Sequence, residues 1–333
     1  MILDELLNKD KLSKEEIIFL LNLNGRKDKE KFFARADELR LADCGDGIEI
    51  RGIVKFSNYC NQNCLYCSYR EDNYKLARYR MSPDEIIHTA QTISNLGIGK
   101  IILQSGEDHF FDTDIIAYII FQIKQLTKVN LTLSLGERRF DEYRTWKIAG
   151  ADRYILKHKT ANPNHYAEYH AGGKLADRIS QLRFLKTIGY QIGSGNIVGL
   201  PLQTIEDIAD DILLFDELKT DVITIGQFIP SLNTPYQKKT SGDPELLQKT
   251  IAAARLVMKN THISISAEPD SLDEVYGGTG LYSGADVIMP DLTPPDQNEN
   301  HRFFRRGKKI DEGTIEKTVR IQKSIAALGR KIV

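Results

Sequence analysis

Eight apolar, β-branched runs, each followed by an amphipathic stretch, set the strongest limit on how this chain can fold. The runs are 48–56, 100–104, 130–135, 153–157, 191–198, 222–229, 262–267 and 285–290. Helical spacing of apolar residues marks 83–96, 112–127, 139–149, 163–170, 177–188, 204–218, 244–259 and 271–283. Regular alternation of strand and helix predicts a parallel sheet with helical crossovers. Eight such units predict an α/β fold closed as a (β/α)8 barrel of the TIM type. An open doubly wound sheet would carry a glycine-rich phosphate turn after its first strand, and a cysteine loop stands there instead. Helix boundaries agree with the pattern. Ser82-Pro83-Asp84-Glu85 offers an N-cap, a first-turn proline and a third-position acid, and Thr204-Ile205-Glu206-Asp207 does the same without proline. Gly97, Gly150 and Gly189 mark helix ends. Residues 1–45 read as a helical extension covering one end of the barrel, with Ser13 and Glu16 as a capping box. Residues 46–333 read as the barrel itself, closed by a helix at 311–328.

A length of 333 residues suits one such barrel. A net charge of −1 gives no electrostatic reason to expect nucleic acid or an acidic membrane as partner. No apolar run approaches a membrane span, and the first residues lack the basic and apolar regions of a signal peptide, so a cytoplasmic location is expected.

Function points to one loop. Of the four cysteines, three fall in Cys60-Asn61-Gln62-Asn63-Cys64-Leu65-Tyr66-Cys67, spaced Cys-x3-Cys-x2-Cys. Thiolates hold iron–sulfur clusters, usually four to a cluster, so three would leave one iron open to a small molecule. Two other readings of the spacing stand beside this one. A zinc site could recruit Cys44 as fourth donor, although no second cysteine pair follows; inert thiols are the other. A disulfide framework does not suit a chain of this kind. In a barrel the chemistry gathers where strands end. There stand Gln104-Ser105-Gly106-Glu107-Asp108, the alternating hydroxyls Thr132 and Ser134, Lys157-His158-Lys159, and Gly193-Ser194-Gly195. The sixth strand closes on Gly226-Gln227-Phe228-Ile229-Pro230. His158 reads as a packed histidine, and Cys44 beside Gly45 as a structural thiol.

The cysteine spacing, with the aromatic Tyr66 before the last thiol, resembles the signature of the radical S-adenosylmethionine (SAM) superfamily. That resemblance implies a 4Fe-4S cluster on Cys60, Cys64 and Cys67 whose open iron chelates SAM, with reductive cleavage to a 5′-deoxyadenosyl radical. Ser105-Gly106-Glu107 resembles the family's Gly-Gly-Glu motif, which receives the methionine ammonium. Arg178 is then a clamp for the SAM carboxylate, since a guanidinium binds carboxylate in a bidentate way. Tyr66, Ser134 and Lys159 would complete the SAM contacts, and Gly195, Phe228 and Ile229 would support adenine.

Within the superfamily the chain is most similar to the HydE family, the maturases of iron–iron hydrogenase. The strings that carry this are Phe56-Ser57-Asn58, Arg78-Tyr79-Arg80-Met81, Leu103-Gln104-Ser105-Gly106-Glu107-Asp108, Leu133-Ser134-Leu135-Gly136-Glu137 and Ala149-Gly150-Ala151-Asp152-Arg153-Tyr154. Biotin synthase and methylornithine synthase match them less well. Arg51 and Thr132 agree with the family's substrate residues. Lys157 replaces an arginine that helps hold an anionic substrate, Lys159 replaces a glutamate near the SAM ribose, and Ser266-Ala267-Glu268-Pro269 replaces paired threonines. The SAM half is therefore expected to be intact and the substrate half to have drifted. The resemblance implies a small anionic substrate derived from an amino acid or thiol, contacted by Arg51, Thr132, Lys157, Ser266 and Glu268. It also implies an external ferredoxin- or flavodoxin-like electron donor, a maturation partner protein, and an oxygen-sensitive, anaerobic setting. A mutase or sulfur-handling radical SAM reaction, and a non-catalytic iron–sulfur scaffold, are the alternatives.

Overall fold

The computed structural model describes residues 2–266, 280–294, 313–327 and 329–333. Three helices come first: α1 (Leu3–Leu7), α2 (Lys14–Leu21) and α3 (Arg26–Cys44). The strands are β1 (Gly47–Ile50), β2 (Gly52–Ser57), β3 (Lys100–Ser105), β4 (Asn130–Ser134), β5 (Arg153–Ile155), β6 (Gln191–Val198), β7 (Val222–Gln227), β8 (His262–Ser266), β9 (Val287–Ile288) and β10 (Lys331–Ile332). Helices α4 (Pro83–Asn95), α5 (Thr113–Leu126), α6 (Phe140–Ala149), α7 (Pro163–Tyr169), α8 (Leu175–Thr187), α9 (Ile205–Leu218), α10 (Pro244–Val257) and α11 (Thr314–Ala327) alternate with them.

Neighbouring strands are all parallel, in the order β10-β1-β9-β8-β7-β6-β5-β4-β3-β2. β1 and β2 are two halves of one strand interrupted at Arg51. The first half pairs with β9 and the second with β3. Arg51 N–H donates to Ile288 O at 3.0 Å, Ile53 N–H to Pro290 O at 2.8 Å, and Leu292 N–H to Ile53 O at 2.8 Å. These bonds close the sheet on itself, so the expected (β/α)8 barrel is the observed fold. β10 adds a short strand beside β1.

The pleat sorts the side chains. Val54, Phe56, Ile101, Leu103, Leu131, Leu133, Ile192, Ile223, Ile225 and Ile263 are buried in the main apolar core, on the helix side of the sheet. Each such side chain stabilises the fold by about 1.5–3 kcal/mol. The alternate positions line the interior. Register sets Ile53, Ile102 and Thr132 on one level and Lys55, Gln104 and Ser134 on the next.

Capping boxes form at Ser13, Ser82 and Thr204, as the residue pattern predicts. Gly97, Gly150 and Gly189 have φ of +84°, +118° and +86° at the helix ends. The first three helices lie differently from expectation. α2 and α3 pack along α9 and α10 on the barrel's flank, tied by Lys14 to Asp210 and Lys29 to Glu245, each at 2.6 Å. Two strands are shorter than their apolar runs. β5 stops at Ile155, ahead of a turn in which Lys159 has φ +72°. β9 stops at Ile288, shortly before Pro290, which has no N–H to give a ladder. The expected helix at 271–283 lies outside the described residues except for a turn at 280–283.

Candidate active site

The loop after β2 carries Cys60, Cys64 and Cys67 and is held by a set of side-chain and backbone anchors. Arg78 donates to the carbonyls of Asn58 at 2.5 Å, Tyr69 at 2.9 Å and Arg70 at 2.6 Å. Arg80 binds Asp108 through two bonds of 2.7 and 2.9 Å, and Asp108 accepts from Ser57 at 2.6 Å. The Arg80 guanidinium also lies 3.7 Å from the Tyr59 ring centroid. Leu65 N–H donates to Tyr169 O at 2.9 Å, fixing the far side of the loop.

Gly106, just past β3, explains how closely the loop approaches the barrel. A Cβ there would lie 2.2 Å from Tyr59 O and 2.7 Å from Cys60 Cβ. Only glycine leaves room. Next to it, Glu107 N–H points to Cys60 Sγ at 3.4 Å. The thiols are free and half-buried. Protein packed around them still desolvates them enough to push Cys60 and Cys64 up to about 12 and Cys67 to about 11. Thiols so placed keep their protons at neutral pH and are not solvent-facing nucleophiles. Among the described residues no three His, Cys, Asp or Glu side chains converge on a single-ion position.

Beside the loop, Glu107 and Arg178 meet at the barrel mouth. Glu107 Oε1 accepts from Glu137 N–H at 3.0 Å and from Arg178 Nη2 at 3.4 Å, while Oε2 accepts from Gln62 Nε2 at 2.8 Å. Arg178, in the first turn of α8, also donates to Glu137 Oε1 at 2.7 Å and to Lys157 O at 3.0 Å. Burial raises the Glu107 carboxyl above its ordinary range, with Arg178 opposing. Gly136 (φ +74°) makes this packing possible, because a Cβ there would fall 2.0 Å from Glu107 Cγ. Sequence reasoning selected Ser105, Gly106, Glu107 and Arg178, and the structure brings them together. Sequence reasoning does not single out Gln62 or Glu137, although Gln62 lies inside the cysteine motif and Glu137 just past the third strand.

The interior beneath is cationic. Arg51 is wholly buried and paired with Glu49, which also receives Lys100. Its Nη1 and Nη2 have no hydrogen-bond partner, nor do Nε and Nη1 of buried Arg153, nor Thr132 Oγ1. Lys55 pairs with Asp291 at 2.9 Å. Burial lowers Lys157 to about 7, helped by Lys159 and Lys55. Burial likewise lowers Lys159 to about 8, helped by Arg178, and its Nζ lies 5.7 Å from the Tyr66 ring centroid. Arg51, Thr132, Ser134 and Lys157 all belong to this interior, and Arg153 joins them unforeseen. Ser266 pairs in register with Gly226 at the end of β8; Glu268 lies outside the described residues.

Gly195, in the middle of β6, sits where a Cβ would meet Thr224 O at 2.5 Å and Lys157 Cγ at 3.2 Å. Phe228 is buried with Tyr169, Leu200 and Tyr236 in a small apolar cluster that Leu65 and Tyr66 join. Its N–H is bound to Val198 O and its carbonyl to Gly242 N, both at 2.8 Å. Phe228 is therefore a packed support, and half-buried Ile229 is the more open of the two. His158 points away from the mouth, with Nδ1 3.0 Å from Ser194 Oγ and Nε2 3.5 Å from Asp211. It is the packed histidine expected.

A model of the Radical SAM superfamily matches residues 54–215. The FeFe hydrogenase maturase subunit HydE of Thermotoga maritima is 39% identical, over 98% of this chain and 94% of that one. The 3-methylornithine synthase of Methanosarcina barkeri is 24% identical, over 95% of this chain and 90% of that one. The crystal structure of methylornithine synthase (PylB) superposes with a TM-score of 0.86 at 21% identity, covering 99% of this chain and 97% of that one, a likeness of fold. Among the described residues no helix is long and apolar enough to cross a membrane. With its cysteine loop at the mouth of a closed barrel and a match to HydE along nearly its whole length, this chain belongs to the radical SAM superfamily of enzymes.

Proposed function

We propose that the chain holds a 4Fe-4S cluster on Cys60, Cys64 and Cys67, binds SAM against it, and acts on a small anion inside the barrel. The observation that carries this is a loop of three half-buried thiols seated beside the Glu107–Arg178 pair, together with an interior whose cationic groups, Arg51, Arg153 and Lys157, lack enough anionic partners. When bound, the cluster and SAM supply one-electron cleavage of a sulfonium bond, giving a carbon radical. The protein's own residues orient and shield. Glu107 offers carboxylate oxygen to an ammonium and Arg178 offers a guanidinium to a carboxylate, so together they fit the ends of an amino acid. Glu137 and Gln62 hold both in place. Tyr66, Ser134, Lys159, Gly195 and Ile229 would line the nucleoside, with Phe228 behind them. Arg51, Arg153, Thr132 and Lys157 would hold the substrate's negative charge, and the closed barrel would keep water from the radical.

Overall similarity to HydE supports a role in metallocofactor maturation, with a ferredoxin- or flavodoxin-like donor and a partner protein. The lysine at 157 and the Ser266 position favour a substrate that differs from HydE's, in a mutase or sulfur-handling reaction. Residues 1–45 would serve as a flanking extension and 46–333 as the catalytic barrel.

Anaerobic reconstitution with iron and sulfide, followed by SAM and dithionite, tests the reading. Wild type and Cys44→Ala should take up a cluster and release 5′-deoxyadenosine, and Cys64→Ala should do neither. A fully thiolate-ligated cluster or a zinc ion, with no response to SAM, would overturn it. Uptake without cleavage would leave a scaffold.

A further inference from the structure

Tyr66 lies between Leu65 and Cys67, so the direction of its ring is tied to that of the third thiol. Its hydroxyl is 2.9 Å from His170 Nε2. On the other side of the imidazole, Nδ1 is 3.0 Å from the Tyr166 carbonyl oxygen. A carbonyl only accepts, so Nδ1 carries the hydrogen and Nε2 presents its lone pair. Tyr66 must therefore donate to His170. The imidazole has little freedom to turn. It stacks on the Tyr166 ring at 4.1 Å with an interplanar angle of 18°, and the residue is 6% exposed. Tyr166 in turn reaches the mouth network, its hydroxyl 3.4 Å from the Glu137 oxygen that also receives Arg178. One imidazole thus joins the cysteine loop to the Glu107–Arg178 pair.

We propose that His170 is a positioning residue for SAM: by accepting the Tyr66 hydroxyl's hydrogen bond it fixes that ring beside the third thiol and leaves the hydroxyl able only to accept from a ligand. This rests on the mouth being a SAM site. His170 touches neither cluster nor nucleotide and acts through Tyr66.

Two measurements test it. In the cluster-free protein labelled with 15N-histidine, NMR should report His170 as the Nδ1–H tautomer; an Nε2–H tautomer overturns the inference. In reconstituted protein, SAM affinity and the SAM-induced change in the EPR spectrum of the reduced cluster are compared across His170→Phe, His170→Gln, Tyr66→Phe and the Phe/Phe double variant. Loss of one buried hydrogen bond should weaken SAM about fivefold in His170→Phe and about as much in Tyr66→Phe. The double variant should be no worse than either, and His170→Gln, whose amide oxygen can replace Nε2, should recover most of the loss. Iron content should be equal throughout. Wild-type binding with an unaffected His170→Phe overturns the inference alone, as do multiplying effects or iron lost only in His170→Phe. Failure of the wild type to bind SAM removes the underlying reading as well.

Discussion

Gly106→Ala isolates the contact on which the cysteine loop is seated. Gly106 is outside the left-handed region, so alanine adds no backbone strain there. Its effect is steric. The new Cβ would stand 2.2 Å from Tyr59 O, against 3.4 Å for the start of ordinary contact, and 2.7 Å from Cys60 Cβ. Both obstacles belong to the loop's backbone or to a short side chain anchored on it, so no flexible group can swing aside. The loop would have to lift by about 1 Å, and crowding of this kind costs about 1–3 kcal/mol. With unfolding entropy near 2.1 cal/mol/K per residue, that lowers Tm by roughly 1.5–4 °C in a chain of this length. The same energy shifts the balance between seated and lifted loop by about 5–150-fold. The assay pairs thermal unfolding of the cluster-free protein with iron and sulfide content after anaerobic reconstitution. Gly99→Ala is the control, since a Cβ there meets nothing within 4 Å. Should Gly106→Ala match Gly99→Ala in Tm and hold a full cluster, the loop does not rest on Gly106 and the geometry derived from it is wrong.

Gly136→Ala should act on the SAM end instead, since φ +74° adds backbone strain and the Cβ would sit 2.0 Å from Glu107 Cγ; weakened SAM binding with iron content retained is the expected result. Lys157→Met should stabilise the cluster-free protein at low pH. The Lys157 amine is charged below about 7 when folded and below 10.5 when unfolded, so its burial penalty, on the order of a few kcal/mol, is full below pH 7 and fades as pH rises toward 10.5. The Tm advantage of the variant should therefore be larger at pH 6 than at pH 9.5, and a gap independent of pH would refute the burial of an unpaired amine.

Local signals carried the scaffold and lost the contacts across it. The eight apolar runs named the strands because each outward face meets a helix layer, as Val54, Leu103 and Leu133 do. Ser82 and Thr204 announced their helices because a capping box involves only four consecutive residues. β5 was overdrawn at Lys157, since the left-handed turn at Lys159 depends on Gly195, whose carbonyl receives Lys159 N–H at 2.8 Å. Glu107 was legible from its place at a strand end, and Arg178 only through the resemblance to the radical SAM superfamily. What could not be read was that Glu137 would bind both, or that His170 would face Tyr66 across 104 positions. Such pairs are set by the closed barrel, and no spacing in the chain encodes them.

The two halves of the site differ in how their charges are settled. At the mouth, Arg178 is already matched by Glu137 and Glu107, so a zwitterionic amino-acid end can exchange for these bonds with little net change in charge. Below it the balance fails. Glu49 serves both Arg51 and Lys100, Asp291 serves Lys55, and among the described residues no carboxylate reaches the side chain of Lys157 or the free nitrogens of Arg51 and Arg153. An unpaired buried cation costs several kcal/mol against a total stability of about 5–15 kcal/mol. A chain selected for stability alone would replace such groups with apolar ones of similar size. Their presence is accounted for if an anion completes the pairing during turnover. The same logic separates the two regions: charges already paired at the mouth ask nothing of a ligand, whereas those around Arg51, Arg153 and Lys157 are settled only by an added anion.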